Sequence, residues 1–459
     1  MRGAELASLD FADGVSAAVD TDVDMSVLVR TTSSNFSKAG SGTLKAALPS
    51  SATAVSVEGG EFQEQTVASN VLASALMHLD ASVPESFEYA ADSSDDIEFW
   101  RDVRGNGHPY AWRDENRYSG YPTLSADERT GLPTVDFGTT VHNTASPDGK
   151  KDKWHNYPNS GKALCLSSRL HVREGYLVLR HNDHATFFGC YEQNPFHPNE
   201  VYLVDANNSA SILKNQTEWH TDEELINPFG YSWADFAVVG KGVHVLSFAI
   251  TNACSELADY TNCAGIETLV SDRANIAGGL QLSEVVVFDR NLTAAERTSL
   301  RKYLEKKWQT ADVDLPLPSH ALASLSVACG AKASFLGVTE VAALSGTGTV
   351  DGDLVLTEDV ILRGTYSGTS VDDGLTVNGS LTIPDEGLCA EITVLSKPHG
   401  GDYVDLVTAK SISGDISKLR LSLVDALGRP YTKRPAEVRL ENGHLRAVFG
   451  RFGLSIVVK

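Results

Sequence analysis

The chain lacks the short signatures of several function classes. No C-x-x-C pair occurs, so a zinc-ribbon reading has no support. No G-x-S-x-G elbow marks a serine hydrolase. No E-x-D pair occurs, so the E-x-D-x-x-E arrangement that sets two carboxylates on one strand face of a glycoside hydrolase is absent. There is no apolar run of roughly 18 residues, the length a helix needs to cross a bilayer. The first residues, MRGAELASLDFADG, have no apolar core of the kind a signal peptide requires. Positive charge is also scarce. The 38 Lys and Arg face 60 Asp and Glu, a formal net charge of −22, which disfavours nucleic acid and anionic lipid as partners. Methionine occurs 3 times, and runs of strong helix formers occur once.

What is present suits short strands and tight turns. The 38 glycines recur among Ser, Thr, Val and Asp. Residues 1–68 contain SVLVRTT, SGTLKAAL and ATAVSVEG, which alternate apolar and polar residues as half-buried strands do. Residues 313–459 repeat the pattern in GTVDGDLVL and GLTVNGSLTI, units that bury an apolar face only by stacking on a neighbour. Residues 69–312 differ. Strands such as YLVLRH, GVHVLSFAIT and LSEVVVFDR are apolar on both faces, as in a two-sheet sandwich. One helix is expected there. Thr293 and Glu296 form a capping box, and Leu300, Tyr303, Leu304 and Trp308 share one face. The predicted fold class is all-β: a central sandwich closed by one C-terminal amphipathic helix, flanked by short-strand segments forming either a solenoid or a small sandwich.

Four pieces of the middle region, in order, carry a resemblance: ALMHLDAS (75–82), FWRDVRGNGHPY (99–110), GLPTVDFG (131–138) and LSEVVVFDRNLTAAERTSLRKYLEKKW (282–308). Together they resemble the concanavalin A-like, laminin G-like jelly-roll domains of large bacterial surface proteins. Val103-Arg104 departs from the family turn, which has Lys/Gln-Ser before Gly-Asn-Gly. The stretch FSKAGSGTLKAAL (36–48) resembles an autotransporter-associated β-strand repeat. These resemblances imply an extracellular or cell-surface protein, with this chain a piece of a longer secreted precursor.

Candidate chemistry is sparse. Aromatic side chains among polar neighbours can stack on a sugar ring. Tyr110, Trp112, Tyr118, Tyr121, Trp154, Tyr157 and Trp219 are the candidates for ligand contact. Asp80, Asp102 and Asp136 sit at strand ends beside turns, where they serve the turn backbone or hold a metal, with calcium the ion considered. His181, Asp183 and His184 are read as a loop between two strands, with His197 and His220 as further metal-ligand types. Cys254 with Cys263, and Cys165 with Cys190, are the disulfide candidates. The resulting expectation is a non-catalytic recognition or adhesion module that needs no cofactor and binds a glycan or a cell-surface protein. A structural stalk or filament segment, self-assembling through β edges, is the first alternative. A polysaccharide-degrading enzyme is the second.

Overall fold

The computed structural model describes residues 8–13, 15–113, 120–138, 162–167, 170, 174–190, 217–220, 225–226, 243–250, 274–357, 360–370, 374–384 and 388–450. The chain is all-β with two α-helices among these residues, α1 (Val67–Ala73) and α2 (Ala294–Lys307). It divides into two compact units. One is Met1–Asn70 together with Pro316–Lys459, and the other is Val71–Leu315.

In the first unit, period-two alternation yields parallel strands that stack rather than hairpins. Strands Ala17–Asp20, Asn35–Ala39 and Ala54–Val57 pair in parallel, with Ala17 beside Phe36 and Phe36 beside Val55, a step of 19 residues. Strand Ser324–Val327 then takes the next place, Leu325 beside Val55, and the 19-residue step resumes with Leu344 beside Leu325. A second curled sheet runs alongside through Met25–Ser26, Thr43–Ala46, Glu61–Glu64, Lys332–Ser334 and Thr349–Asp351. The two outer segments, read apart in the sequence, therefore share both sheets, and the middle unit is an insertion between two stacked turns of one coil.

The alternation buries Ala17, Phe36, Val55, Leu325 and Leu344 from the first sheet and Leu44, Phe62, Ala333 and Val350 from the second. Phe36 and Phe62 meet edge to face at 5.3 Å. The glycines of the FSKAGSG stretch permit the tight stacking. Gly40 has φ +77, and a Cβ there would lie 2.3 Å from the Thr21 carbonyl oxygen of the preceding turn. Lys38 belongs to the same stretch and is fully buried. Its Nζ donates to the carbonyls of Ala39, Gly40 and Gly59 at 2.6, 2.9 and 3.0 Å, tying one turn of the coil to the next. Burial pushes its pKa down, and Asp20 and Asp22 nearby oppose that shift. Where the chain leaves and re-enters the coil, Glu64 accepts from His320 Nε2 at 2.5 Å and from the Leu336 amide at 2.9 Å. A hairpin, Ala436–Glu441 with His444–Phe449, packs antiparallel on strand Tyr403–Ser413 at the other end.

The second unit is organised by two long antiparallel strands, Glu174–Cys190 and Ala274–Phe288. Strand Met77–Asp80 and strand Pro133–Asp136 pair with Ala274–Phe288. An antiparallel series Phe87–Tyr89, Ile97–Trp100, Ala111–Trp112 and Ala163–Leu166 joins it in turn. Val285, Val286, Val287 and Phe288 are all fully buried, which accounts for a run with no polar alternation. Helix α2 begins with the expected capping box. Thr293 and Glu296 satisfy each other's backbone amides, and Leu300, Leu304 and Trp308 enter the core. The histidine-rich stretch departs from the expected loop. His181–Ala185 lies within strand Glu174–Cys190, where the pairing register shifts, so the extra residues are taken up as a bulge instead of breaking the strand.

Candidate functional site

The site follows from strand alternation at one edge of the second unit. Trp100, Ala111 and Leu166 lie side by side on three adjacent strands and are buried. Their neighbours Phe99, Trp112 and Cys165 therefore share the opposite face. Phe99 and Trp112 are half-buried and Cys165 is buried. Arg101 and Tyr110, each one step beyond the core-facing residues, continue the Phe99 face. The Arg101 guanidinium lies 4.5 Å from the ring centres of both Phe99 and Tyr110, whose centroids are 6.0 Å apart. Its Nε donates to Glu88 on the adjoining strand at 2.7 Å, and this bond is the main cause that holds the Glu88 carboxyl below its ordinary pKa. Tyr110 is fixed through its backbone. Its amide donates to Ser167 Oγ and its carbonyl accepts from the Ser167 amide, both at 2.9 Å.

Beside this face the chain makes the turn Gly105-Asn106-Gly107. Both glycines have positive φ, +98 and +108, and a Cβ at either would meet nothing within 4 Å, so the turn's backbone stands open. The turn is anchored by Asp102, which is buried. Asp102 accepts from the His78 amide at 2.7 Å, from the Arg104 amide and Nε at 2.9 Å, and from Arg104 Nη2 at 2.8 Å. Arg104 also donates to the carbonyls of Ala75 and Leu76. Arg101, Asn106, His108, Tyr110 and Ser167 are among the residues that line a cleft of about 360 Å³ here.

Behind the turn lies a buried charge network. Glu284 accepts from His78 Nε2 at 2.7 Å, from Lys307 Nζ at 2.6 Å and from Trp308 Nε1 at 2.5 Å. Lys307 also donates to Asp80. Burial alone would raise the Glu284 pKa. The His78 hydrogen bond and charge, with Lys307, overcome it and hold the carboxyl at about 2. The donor atoms of His78, Asp80 and Glu284 lie within 4.8 Å of one another, a spacing a metal could use. The Lys307 ammonium supplies the positive charge there, bonded to both carboxylates.

The sequence-named residues separate accordingly. Tyr110 lines the cleft, and Trp112 lies on the same strand face. Tyr121 stands apart from the cleft lining with the Arg113 guanidinium 3.9 Å from its ring centre. Asp80 and Asp102 are bound by Lys307 and Arg104, and Asp136 accepts from the Gly138 amide at 2.7 Å. Tyr118, Trp154, Tyr157, His197, Cys254 and Cys263 lie outside the described residues, as do the side chains of Trp219, His181, Asp183, His184, His220 and Cys190. Sequence reasoning missed Phe99, Arg101 and Glu284. Phe99 and Arg101 flank Trp100, so assigning Trp100 to the core places both on the other face. Glu284 is a carboxylate at the head of an apolar run, which requires buried partners. Comparison with protein-family models, with curated proteins and with solved structures finds no match.

Proposed function

We propose that the chain is a non-catalytic, cell-surface recognition protein. In this reading the second unit is a laminin G-like jelly roll that binds glycan at the Tyr110 cleft, and the first unit is a β-solenoid that carries it. The carrying observation is the cleft itself. It sets an aromatic ring, an arginine, an amide side chain and a hydroxyl around one opening. A sugar needs an apolar surface for its C–H face and polar groups for its hydroxyls. One feature favours binding over hydrolysis. Among the described residues, Asp102 in the cleft lining and Glu88, the partner of Arg101, are each held by an arginine, at 2.8 and 2.7 Å. Neither is placed to exchange a proton with a glycosidic oxygen. The stalk reading draws on a separate observation, the parallel stacking that continues on both sides of the insertion, with 19-residue steps from Ala17 to Phe36 to Val55 and from Leu325 to Leu344, and it is compatible with display of a binding unit.

Tyr110→Ala tests the reading. Removing the ring should weaken binding of a captured oligosaccharide at least tenfold, a loss of about 1.4 kcal/mol or more, with the thermal transition unchanged. Titration calorimetry on the full chain reads the affinity. Equal affinity in the variant would remove the cleft from the binding site.

A further inference from the structure

The charge balance of the cleft points to a more specific ligand class, an inference that rests on the glycan reading above. We infer that the cleft takes neutral pyranose sugars and does so without calcium. The two charged side chains of its described lining, Arg101 and Asp102, are each already matched. Arg101 is paired with Glu88 at 2.7 Å and lies 4.5 Å from the centres of two aromatic rings. Asp102 receives four hydrogen bonds, three of them from Arg104. A calcium ion bridging sugar hydroxyls needs several uncommitted oxygen ligands. Asp102, the carboxylate in the lining, has given its oxygens to the turn and to Arg104. Asp80 is bound by Lys307, away from the cleft lining.

The same balance disfavours an acidic sugar. A uronate carboxylate would approach an arginine whose charge Glu88 already offsets, on a chain of net charge −22. Neutral polar groups stand beside these ion pairs in the described lining. The Asn106 side chain is exposed between two open glycines. Its carbonyl and amide can accept from one hydroxyl and donate to its neighbour, a fit to vicinal hydroxyls. The Ser167 hydroxyl accepts from the Tyr110 amide and keeps its own proton to donate.

The experiment is a binding panel on the full chain at fixed ionic strength. The neutral arm holds cello-, manno-, xylo- and chito-oligosaccharides, and the acidic arm holds oligogalacturonate and oligoguluronate. Each arm is run with calcium and with EDTA. The expected result is binding in the neutral arm, equal in both buffers, weakened about tenfold by Asn106→Ala. Glu88 is half-exposed, so Glu88→Gln preserves the fold while releasing the Arg101 charge, and it should raise affinity for the acidic arm at least threefold, a figure of the size expected for one partly exposed charge pair. Calcium-dependent binding, acidic-arm preference, or an acidic-arm affinity unchanged by Glu88→Gln would overturn the inference and leave glycan recognition standing. Absence of binding in both arms and both buffers would overturn the glycan reading as well.

Discussion

Lys307→Met is expected to destabilise the second unit by about 3–5 kcal/mol, the cost of leaving a buried carboxylate without its cation. Asp80 and Glu284 are 5% and 1% exposed, and Lys307 is bonded to both. Methionine fills much the same volume, so the loss reports charge and not a cavity. All the tryptophans lie within Val71–Leu315, so tryptophan fluorescence follows this unit alone during urea unfolding. Glu284→Gln in the Lys307→Met background should recover part of the loss, because the unpaired charge disappears with the carboxylate. The pH dependence has a definite sign. The folded Glu284 carboxyl sits near 2 against an ordinary 4.5. Its contribution is therefore fully present above about pH 4.5 and is lost as pH falls toward 2, where the unfolded chain binds the proton first. Wild type should lose stability steeply across that window, and Lys307→Met should lose less. A variant as stable as wild type at pH 7 would show that the ion pair is not holding helix α2 to the strands.

The second large effect concerns the coil. Lys38→Met should lower the first unit's stability by about 3 kcal/mol, since it removes a buried donor shared by the Ala39 and Gly40 carbonyls of one turn and the Gly59 carbonyl of the next. Far-UV circular dichroism reads both units, so the coil's transition is the component that tryptophan fluorescence does not share; the variant should shift that component downward while the fluorescence transition stays in place. Lys45→Met, on the same turn but with its side chain outside the core, serves as the control and should change little. Equal shifts in the two variants would mean that the carbonyl contacts of Lys38 do not link successive turns.

Lys38 also shows how far the sequence could be read. The stretch FSKAGSGTLKAAL announced a turn and a strand through Gly40, Gly42 and the alternation after Thr43. The lysine within it became intelligible only when the next turn brought Gly59 over it. The same limit applies to the coil as a whole. Alternation tells which residues of a strand are buried but not which distant strand lies beside it, so the Val55–Leu325 pairing across the inserted unit left no local trace. Helix α2 was legible because its signals are local: a capping box at Thr293 and Glu296, then an apolar stripe ending at Trp308. The cleft was half legible. Tyr110 stood out by its type and alternation about Trp100 puts Phe99 and Arg101 on one face, whereas only the strand pairing brings Tyr110 beside them. Glu284 was read as part of an apolar strand, yet its partners come from a strand some 200 residues earlier and from the end of the helix, a convergence no spacing reveals.

One coil hosting a separately folded unit is the claim on which the display reading stands, and excision tests it most directly. Joining Asn70 to Pro316 through a short glycine-serine linker removes residues 71–315 and leaves every parallel pairing of the coil in place, including Val55 with Leu325 and Phe62 with Ala333. The measurement is the thermal unfolding of this shortened chain by far-UV circular dichroism. The expected result is a β-sheet spectrum with one cooperative transition close to that of the coil in the full chain. A shortened chain that is unfolded, or melts without cooperativity, would contradict the continuity of the coil.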